Sequence, residues 1–289
     1  MKVSIITPSF NQSAYLLDNL RSVRFQTHRP IEHLVMDGNS TDGTVALLEQ
    51  SAKENTDLIW QSADDDGQSD AINKGFRSAT GDIIGWLNSD DLYFNDSVVS
   101  SVVAIFQLHP EIDIVYGNIA FITADNRLQK IQVVPEFRYK RLLRGCFIEQ
   151  PAVFFRRHVI DSCKLDESLD YALDYEFWLR LAKRFRFFHF DRLLAMDRNH
   201  SDRKIIADYQ QMIAETERIK RDYGFRKTTG TRLTALAESL TSGAWRRLKG
   251  MIQVLKIRFG FSRSEFLDTK LTWKLIRNQL LPIKYHRMD

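Results

Sequence analysis

The sequence predicts an α/β fold in which helices cover a mostly parallel central sheet and a basic helical extension follows. Two observations predict this fold. Short apolar segments alternate with polar loops and helical patterns from residue 3 onward, as in strand–helix–strand crossovers. Basic residues also become frequent near the end, so that residues 226–289 carry a net charge of +10 and residues 1–225 carry −6. We therefore expect two parts, an acidic α/β domain over 1–225 and a basic amphipathic extension over 226–289.

The bulk composition is that of a globular protein with a substantial core. The 289 residues are 44% hydrophobic and 27% charged, and no window of 18 residues is continuously apolar. Cys146 and Cys163 lack a partner at metal-like spacing, so no disulfide framework is predicted. Met1 and Lys2 lead directly into a strand pattern without a secretory signal. These features favour a cytoplasmic protein.

The elements of the first part follow one another in strand–loop–helix order. An apolar strand over 3–8 ends in proline, and Ser13 is expected to cap a helix with apolar residues at helical spacing. A second strand over 31–36 leads through a polar, glycine-containing turn (37–44) into a helix that runs through Leu48. A third strand covers 57–61, and a helix over 70–76 precedes a buried strand over 83–87. This repetition predicts parallel pairing with crossover helices.

The later elements are predicted from similar patterns. Strands are expected at 112–116, within 121–134, at 152–155 and at 185–190, with helices at 96–108, 174–183 and 205–223 and a dense polar loop at 197–204. Trp86, Trp178, Phe154 and Phe155 are expected to lie in the core. In the extension, basic residues alternate with apolar ones between Trp245 and Phe259, which indicates amphipathic helices.

The strand over 83–87 ends in a pair of carboxylates, Asp90 and Asp91. Acidic side chains cannot continue into a core unpaired, so the strand must reach the surface there. Ligands of open parallel sheets bind at the carboxyl ends of strands, and paired carboxylates suit Mg²⁺ or Mn²⁺ that bridges a diphosphate. The alternative is an acidic cap for the next helix, since Asn95, Asp96 and Ser97 also resemble cap residues.

Acidic residues follow several successive strands, at Asp37, at 64–66 and at Asp90. The carboxyl ends of parallel strands lie at one edge of a sheet, so we expect these residues to face a common cleft. In the helix over 70–76, Asp70, Asn73 and Lys74 lie one turn apart and face alike.

Order and spacing together resemble the inverting family 2 glycosyltransferases of the GT-A fold, in the branch that decorates bacterial surface polysaccharides. The resemblance covers roughly residues 1–205. The matching segments are Thr7-Pro8-Ser9-Phe10-Asn11, Asp37 to Thr44, Asp66-Gly67, Asp70 to Gly75, Thr80-Gly81-Asp82, Asn88-Ser89-Asp90-Asp91, Gln150 with Phe154 to Arg157, and Asp174 to Arg180. The resemblance implies transfer of a sugar from a nucleoside-diphosphate donor to a hydroxyl of a glycan or lipid-linked glycan, in cell-surface polysaccharide synthesis.

The resemblance also implies which residues bind the donor. Asp37 resembles the aspartate that accepts a hydrogen bond from the base. The other implied nucleotide- or donor-binding residues are Thr7, Pro8, Ser9, Asn11, Asp66, Asp70, Asn73, Lys74, Asn88 and Ser89. Three alternatives stay open: Asp37 as a turn residue, Asp66 and Asp70 as a solvated loop with a helix cap, and Lys74 either on phosphate or on the helix surface.

The resemblance further implies a site for Mn²⁺ or Mg²⁺. Asp90 resembles the last aspartate of the Asp-x-Asp motif, although this chain has Asn88 at the first position, and a neutral amide supplies no charge. Asp91 is the alternative ligand or a residue that orients the ligand. His200 resembles the histidine of a loop that folds over the diphosphate, where an imidazole can reach the metal. The alternative is a solvent-exposed histidine.

Asp174 resembles the catalytic base, which takes the proton of the acceptor hydroxyl as that hydroxyl attacks the anomeric carbon. The commoner form of the motif pairs Glu with Asp, whereas this chain has Leu173 before Asp174. The alternative role of Asp174 is to cap its own helix.

The sequence gives less support to two alternative functions. A nucleotide-binding or nucleotidyl-transfer enzyme would carry a Gly-rich phosphate loop near the amino terminus, and residues 7–11 contain no glycine. A non-catalytic module that binds nucleic acid through the extension is disfavoured by the acidic body, and we expect no nucleic-acid partner. The extension itself either contacts an anionic membrane, on the inner face of the cell membrane, or forms an ordinary subdomain and a homodimer surface.

Overall fold

The computed structural model describes residues 1–201, 203, 208–226 and 243–259. The first half is the parallel α/β unit that the sequence predicts, with strands in the order β3-β2-β1-β4, all parallel. Its strands and helices are β1 (Val3–Ser9), α1 (Ser13–Arg24), β2 (Ile31–Asp37), α2 (Thr44–Glu54), β3 (Leu58–Ser62), α3 (Gln68–Ser78) and β4 (Ile83–Trp86). The carboxyl ends of these four strands therefore lie at the same edge of the sheet.

The second half of the sheet is mixed in direction. Its elements are β5 (Leu92–Tyr93), α4 (Val98–Leu108), β6 (Ile114–Thr123), β7 (Leu128–Gln132), α5 (Tyr139–Leu142), β8 (Val153–Arg156), α6 (Arg157–Ser162), α7 (Leu173–Leu181) and β9 (Phe187–Asn199). Two further helices are α8 (Tyr209–Asp222) and α9 (Ala244–Phe259). β8 lies antiparallel between β4 and β6, whereas β6 and β9 pair in parallel. The α/β class is thus confirmed, and parallel pairing is concentrated in the first half.

The core lies on both faces of the sheet. Every residue of β1, β2 and β4 is buried, which explains why apolar and polar residues do not alternate along these strands as they do in a half-exposed strand. Trp86, Trp178, Phe154 and Phe155 are buried, as predicted. Gly75 lets α3 approach β1 closely, because a Cβ there would lie 2.4 Å from Cγ2 of Ile6.

Several predicted boundaries are wrong for local reasons. Ser13 is the first helical residue of α1, not its cap, and its N–H donates to Oδ2 of Asp42 at 2.9 Å. The cap therefore comes from a residue distant in sequence. Residues 197–199 of the predicted polar loop end β9, since their backbone pairs with β6. α8 begins at Tyr209, and residues 205–207 of the predicted helix lie outside the described residues.

The structure contradicts a helix-cap role for Asp90 and Asp91. A short strand, β5, follows them and pairs with β9. α4 begins only at Val98, and the N–H and hydroxyl of Ser97 both donate to Oδ1 of Asn95. The paired carboxylates consequently belong to the sheet edge and not to a helix.

Most of the predicted extension over 226–289 lies outside the described residues. Beyond Arg226, the structure describes residues 243–259, which are α9 and the residue before it. α9 packs against the edge strand β7, where a Cβ on Gly250 would lie 2.4 Å from the backbone oxygen of Ile131. Lys249 forms an ion pair with Asp191 at 2.5 Å, and Val254 packs on the core. Within the ranges given above, no helix has the length and hydrophobicity needed to span a bilayer.

Candidate active site

Polar and charged residues gather at one edge of the sheet. β2, β1 and β4 end there, and the chain enters β8 there because β8 runs antiparallel to β4. β9 also ends there, since it is parallel to β6, which in turn runs antiparallel to β8. Residues far apart in sequence therefore meet along this edge, as the sequence predicts for Asp37 and Asp90.

Asp90 and His200 form a pair at this edge. His200 Nε2 lies 3.0 Å from Oδ2 of Asp90, and the imidazole is buried. The ring of Tyr15 packs on the imidazole, with 4.4 Å between ring centroids. The alternative of a solvent-exposed histidine is thus wrong, because β9 carries His200 directly onto the loop after β4.

Arg198 holds the loop after β4, which carries Asp90, in place. It was not among the predicted site residues. Its guanidinium is buried and donates to the backbone oxygens of Asp90 (2.9 Å) and Ala124 (3.0 Å) and to Oδ2 of Asp18 (3.1 Å). It also lies over the ring of Tyr15, 5.0 Å from its centroid. A buried arginine normally needs such partners, but its sequence signal was hidden within a run of polar residues.

Asp91 is more deeply buried than Asp90. Its Oδ1 accepts the backbone N–H of Arg198 at 3.1 Å. Burial and the nearby carboxylates of Asp90 and Asp197 raise the pKa of Asp91 well above its usual range. This environment fits a residue that orients the loop better than a direct ligand.

Asp197 and Arg203 add a buried ion pair to the site. Arg203 lies 2.8 Å from Oδ1 of Asp197 and also donates to Oδ1 of Asn199 at 2.7 Å. Burial nevertheless raises the pKa of Asp197, and Asp90 raises it further. Neither residue was a predicted site residue, because only the pairing of β9 within the sheet brings this segment to the carboxylates after β4.

Asn88 does not present its carbonyl to a ligand. Its Oδ1 accepts two donors, Nε1 of Trp86 at 2.9 Å and Nε2 of Gln68 at 3.1 Å. Both lone pairs of that oxygen are therefore engaged. Ser89 is buried beside it.

The donor set of the pair fits a divalent cation only in part. Asp90 offers a carboxylate oxygen and His200 an imidazole nitrogen, both suitable for Mn²⁺. In the described part of the chain, no three or more His, Cys, Asp or Glu residues are arranged to hold a metal ion. A cation at this place would depend on ligands from a bound diphosphate, as Mg²⁺ usually does.

The predicted base-binding residues lie at the ends of β1 and β2. Ser9 pairs with Asp37 in register, and both are buried. Asp37 accepts hydrogen bonds from the N–H of Ser40 (2.9 Å) and the hydroxyl of Ser62 (2.7 Å). The hydroxyl of Ser9 has no hydrogen-bond partner among the described groups. A buried hydroxyl without a partner at the end of a strand is a natural place for a ligand contact.

Three other residues predicted to bind the nucleotide, Thr7, Pro8 and Asn11, have structural roles in or after β1. Thr7 is buried, with Oγ1 2.9 Å from Nε2 of His33, and Pro8 is buried within β1. Asn11 adopts a positive φ of 52°, and its Oδ1 accepts the N–H of Thr41 at 2.9 Å. This contact joins the loop after β1 to the loop after β2.

Three of the predicted residues in the acidic loop and α3, namely Asp66, Asp70 and Lys74, form one cluster. Asp70 accepts from Nζ of Lys74 (2.7 Å) and from the N–H of Asp66 (3.2 Å), and the contact with Lys74 lowers the pKa of Asp70. Asn73 faces elsewhere. Its amide donates to the backbone oxygen of Leu165 (3.1 Å) and its Oδ1 accepts the N–H of that residue (3.0 Å). Asn73 thus holds a neighbouring loop.

Asp174 lies in the first turn of α7, where its Oδ1 accepts the N–H of Tyr175 at 2.7 Å. Burial raises the pKa of Asp174 to about 6. Glu149, which the sequence analysis missed, lies near it, and burial together with Asp197 and Asp174 raises the pKa of Glu149 to about 7. Glu149 thus links the carboxylates around Asp90 to Asp174, and its only sequence signal is its position before Gln150.

Comparison with protein families gives an independent result. The model of the family described as "Glycosyl transferase family 2" matches residues 4–164. An uncharacterised glycosyltransferase of Rickettsia typhi is 26% identical over 195 residues, which are 63% of this chain and 58% of that protein. One of Mycobacterium tuberculosis is 43% identical over 102 residues, 35% of this chain and 38% of that protein. The chain therefore spans less than two thirds of these curated relatives.

Solved structures share the fold. Residues 1–349 of TarS of S. aureus, in complex with UDP-GlcNAc, superpose with a TM-score of 0.60 at 20% identity, and the match covers 95% of this chain and 79% of that segment. The mannosyltransferase PcManGT of Pyrobaculum calidifontis, in complex with GDP-Man and Mn²⁺, gives 0.58 at 16% identity and covers 98% and 88%. Identities this low establish the common GT-A architecture alone.

Proposed function

Because the chain belongs to glycosyl transferase family 2, we propose that it moves a sugar from a nucleoside-diphosphate donor to a hydroxyl of a glycan or lipid-linked glycan, with inversion at the anomeric carbon. The pathway we propose is cell-surface polysaccharide synthesis. One observation carries the proposal. The carboxylates of Asp90, Asp197, Glu149 and Asp174 form a continuous series of interacting groups, and His200 contacts the first of them.

The donor base binds at the ends of β1 and β2 in this proposal. The unpartnered hydroxyl of Ser9 and the carboxylate of Asp37 supply a donor and an acceptor next to each other. Asp66, Asp70 and Lys74 flank the same edge, where Lys74 provides a cation near the donor phosphates. The related structures with UDP-GlcNAc and GDP-Man support a nucleotide sugar as ligand.

Asp90 and His200 would hold a divalent cation, Mn²⁺ or Mg²⁺. When bound, such a cation neutralises the charge that builds on the diphosphate leaving group. Arg198 and Asp91 keep the loop of Asp90 in place through the contacts of the guanidinium and the backbone N–H. The Mn²⁺ complex of PcManGT supports this assignment by analogy of fold.

Asp174 is the base in the proposed reaction. The acceptor oxygen bonds to the anomeric carbon as the bond from that carbon to the diphosphate breaks, and Asp174 takes the hydroxyl proton. Inversion follows because attack and departure occur on opposite faces, so no covalent enzyme intermediate is needed. A pKa of about 6 suits this role, because the carboxylate is ionised at neutral pH yet more basic than a solvated aspartate.

We also propose that the extension brings the enzyme to the cytoplasmic face of an anionic membrane. Trp245, Leu248 and Met251 recur every three residues on α9 and are exposed, Trp245 by 64% and Met251 by 62%. Arg246 and Arg247 lie beside this apolar ridge, a composition that suits an anionic lipid surface. A homodimer through the same ridge is the competing outcome.

A thermal-shift panel tests the proposed donor class. UDP, GDP and dTDP are each added with Mn²⁺, with Mg²⁺ or with EDTA. A ligand at about 100 times its Kd stabilises the native state by about 2.7 kcal/mol, which is a measurable rise in Tm. We expect one nucleotide to raise Tm more with the cation than with EDTA. A flat response to all three nucleotides would reject a nucleoside-diphosphate donor.

A further inference from the structure

The turn that precedes α7 is bound by a carboxylate from α8. Glu215 accepts three consecutive backbone N–H groups, those of Asp170 (3.2 Å), Tyr171 (3.3 Å) and Ala172 (3.0 Å). Convergent N–H groups of this kind form a concave anion site, and here a side chain of the same protein fills it. Asp174 follows two residues after the last of these donors.

One face of α8 makes all of these contacts. Gln211, Glu215 and Ile219 lie four residues apart and so project on the same side of the helix, with Tyr223 one step further. Gln211 accepts from the hydroxyl of Tyr171 at 3.1 Å, and Ile219 is buried in the core cluster around α7. The hydroxyl of Tyr223 donates to Oε1 of Glu176 at 2.6 Å. α8 therefore packs against the turn before α7 and the first residues of α7, and hydrogen bonds hold it there.

We infer that Glu215 is a positioning residue for Asp174: by binding the turn at Asp170–Ala172, it sets where the first turn of α7 places the base carboxylate. This inference rests on the proposed role of Asp174. Asp174 is held within its own helix, since its carboxylate accepts the N–H of the adjacent Tyr175. The location of the carboxylate relative to the donor thus follows the location of the turn.

The chemistry of the contact demands a carboxylate. Both oxygens of Glu215 accept, Oε2 from Asp170 and Oε1 from Tyr171 and Ala172. Glutamine at this position would turn an N–H group toward one set of N–H donors and lose at least one hydrogen bond. A displacement of about 1 Å at a reacting group can cost about 100-fold in rate. α8 also lies beyond residues 4–164, so the contact comes from outside the segment that the family model matches.

The test compares Glu215→Ala and Glu215→Gln with Glu217→Gln, which alters a glutamate of the same helix that pairs with Lys220. The readout is release of nucleoside diphosphate from UDP-GlcNAc and from GDP-mannose with Mn²⁺, using whichever the full-length protein turns over faster. We expect Glu215→Ala to lower kcat about 10- to 100-fold while KM for the nucleotide sugar changes less than about twofold. Glu217→Gln should match the unaltered protein.

A second readout separates positioning from a general loss of structure. In the Asp174→Asn background, Glu215→Gln should lower the residual rate by less than about twofold, because a residue that acts through Asp174 has no effect once the base is gone. Equal losses with and without Asp174 would show that Glu215 acts on structure alone and would overturn the inference. If Glu215→Ala does not fold, Glu215→Gln decides the matter by the same comparison.

The outcomes distinguish this inference from the function on which it rests. If Asp174→Asn is inactive and both Glu215 variants keep the unaltered kcat, the inference fails and the proposed function stands. If Asp174→Asn itself retains full turnover, the proposed assignment of Asp174 as the base is wrong. The inference that Glu215 positions this base then falls with it. Amide exchange at residues 170–172 gives a physical check, since it should accelerate in Glu215→Ala and not in Glu217→Gln.

Discussion

His200 Nε2 lies 3.0 Å from Oδ2 of Asp90, although 110 positions separate the two residues in the chain. β4 leads Asp90 to one edge of the sheet, and His200 lies at the same edge as the residue directly after β9. The contact forms only when both halves of the sheet have assembled. It therefore ties the proposed cation site to the completed fold.

The first prediction concerns the cation. Asp90→Ala should remove the part of the nucleotide-induced Tm rise that depends on Mn²⁺, because the carboxylate of the proposed pair is gone. His200→Ala should weaken Mn²⁺ binding at least about 10-fold, because the loss of a proposed ligand should cost no less than the loss of a group that only supports a ligand. The measurement is a Mn²⁺ titration at fixed UDP or GDP. Asp96→Ala, which alters an exposed aspartate near by, is the control. An unchanged titration in Asp90→Ala would remove the metal assignment.

The second prediction concerns the base and its pH dependence. Since burial raises the pKa of Asp174 to about 6 in the ligand-free protein, kcat/KM should be half-maximal near pH 6 and fall about tenfold for each further unit toward acid. Asp174→Asn should lower kcat at least about 100-fold while nucleotide binding persists. Turnover and thermal shift are measured on the same samples. If the variant retains the acidic limb of the pH profile, another group is the base.

The third prediction concerns Glu149. Burial and its carboxylate neighbours raise its pKa from 4.5 to about 7, so folding disfavours its ionised form. Its contribution to stability is complete below pH 4.5 and is lost as the pH rises through about 7. Glu149→Gln should therefore stabilise the protein at pH 8 by about 1–3 kcal/mol and have little effect at pH 4.5. Urea unfolding at both pH values measures this. Destabilisation at pH 8 would contradict the assignment.

The fourth prediction concerns Glu32, whose pKa is shifted in the direction opposite to that of Glu149. Burial alone would raise the pKa of Glu32, but hydrogen bonds from Lys2, Ser4 and Thr80 outweigh it and lower that pKa from 4.5 to about 2. The resulting stability is present above pH 4.5 and lost as the pH falls through about 2. Glu32→Gln should cost about 2–3 kcal/mol at pH 7. Glu54→Gln, at an exposed surface pair, is the control in urea unfolding and should cost under about 1 kcal/mol.

The fifth prediction tests the apolar ridge of α9. Trp245→Glu combined with Met251→Glu should abolish co-sedimentation with phosphatidylglycerol vesicles, because each change places a charge where the ridge would enter the lipid interface. Leu108→Glu, at an exposed leucine on α4, should leave sedimentation unchanged. Binding that persists in the double variant would reject the ridge as the lipid contact. A shift from dimer to monomer in the same variant would indicate a dimer surface instead.

The sequence alone determined the α/β class and much of the proposed site. Apolar strands that end in Asp37 and Asp90 predicted a shared edge, because parallel strands point their carboxyl ends the same way. Local pattern was sufficient here, since strand, loop and helix lie next to one another in the chain. It also located the core tryptophans Trp86 and Trp178.

Only the tertiary structure decided which groups complete the site. Arg198, Asp197 and Glu149 reach the carboxylates because β8 and β9 join the sheet in a mixed order that no local period encodes. The same holds for Asp42, which caps a helix 29 positions away, and for Glu215, which binds the turn before α7. Arg198, Asp42 and Glu215 each contact a backbone group that is remote from them in sequence. A linear pattern carries no record of them, because it is the packing of the second half of the sheet that brings the partners together.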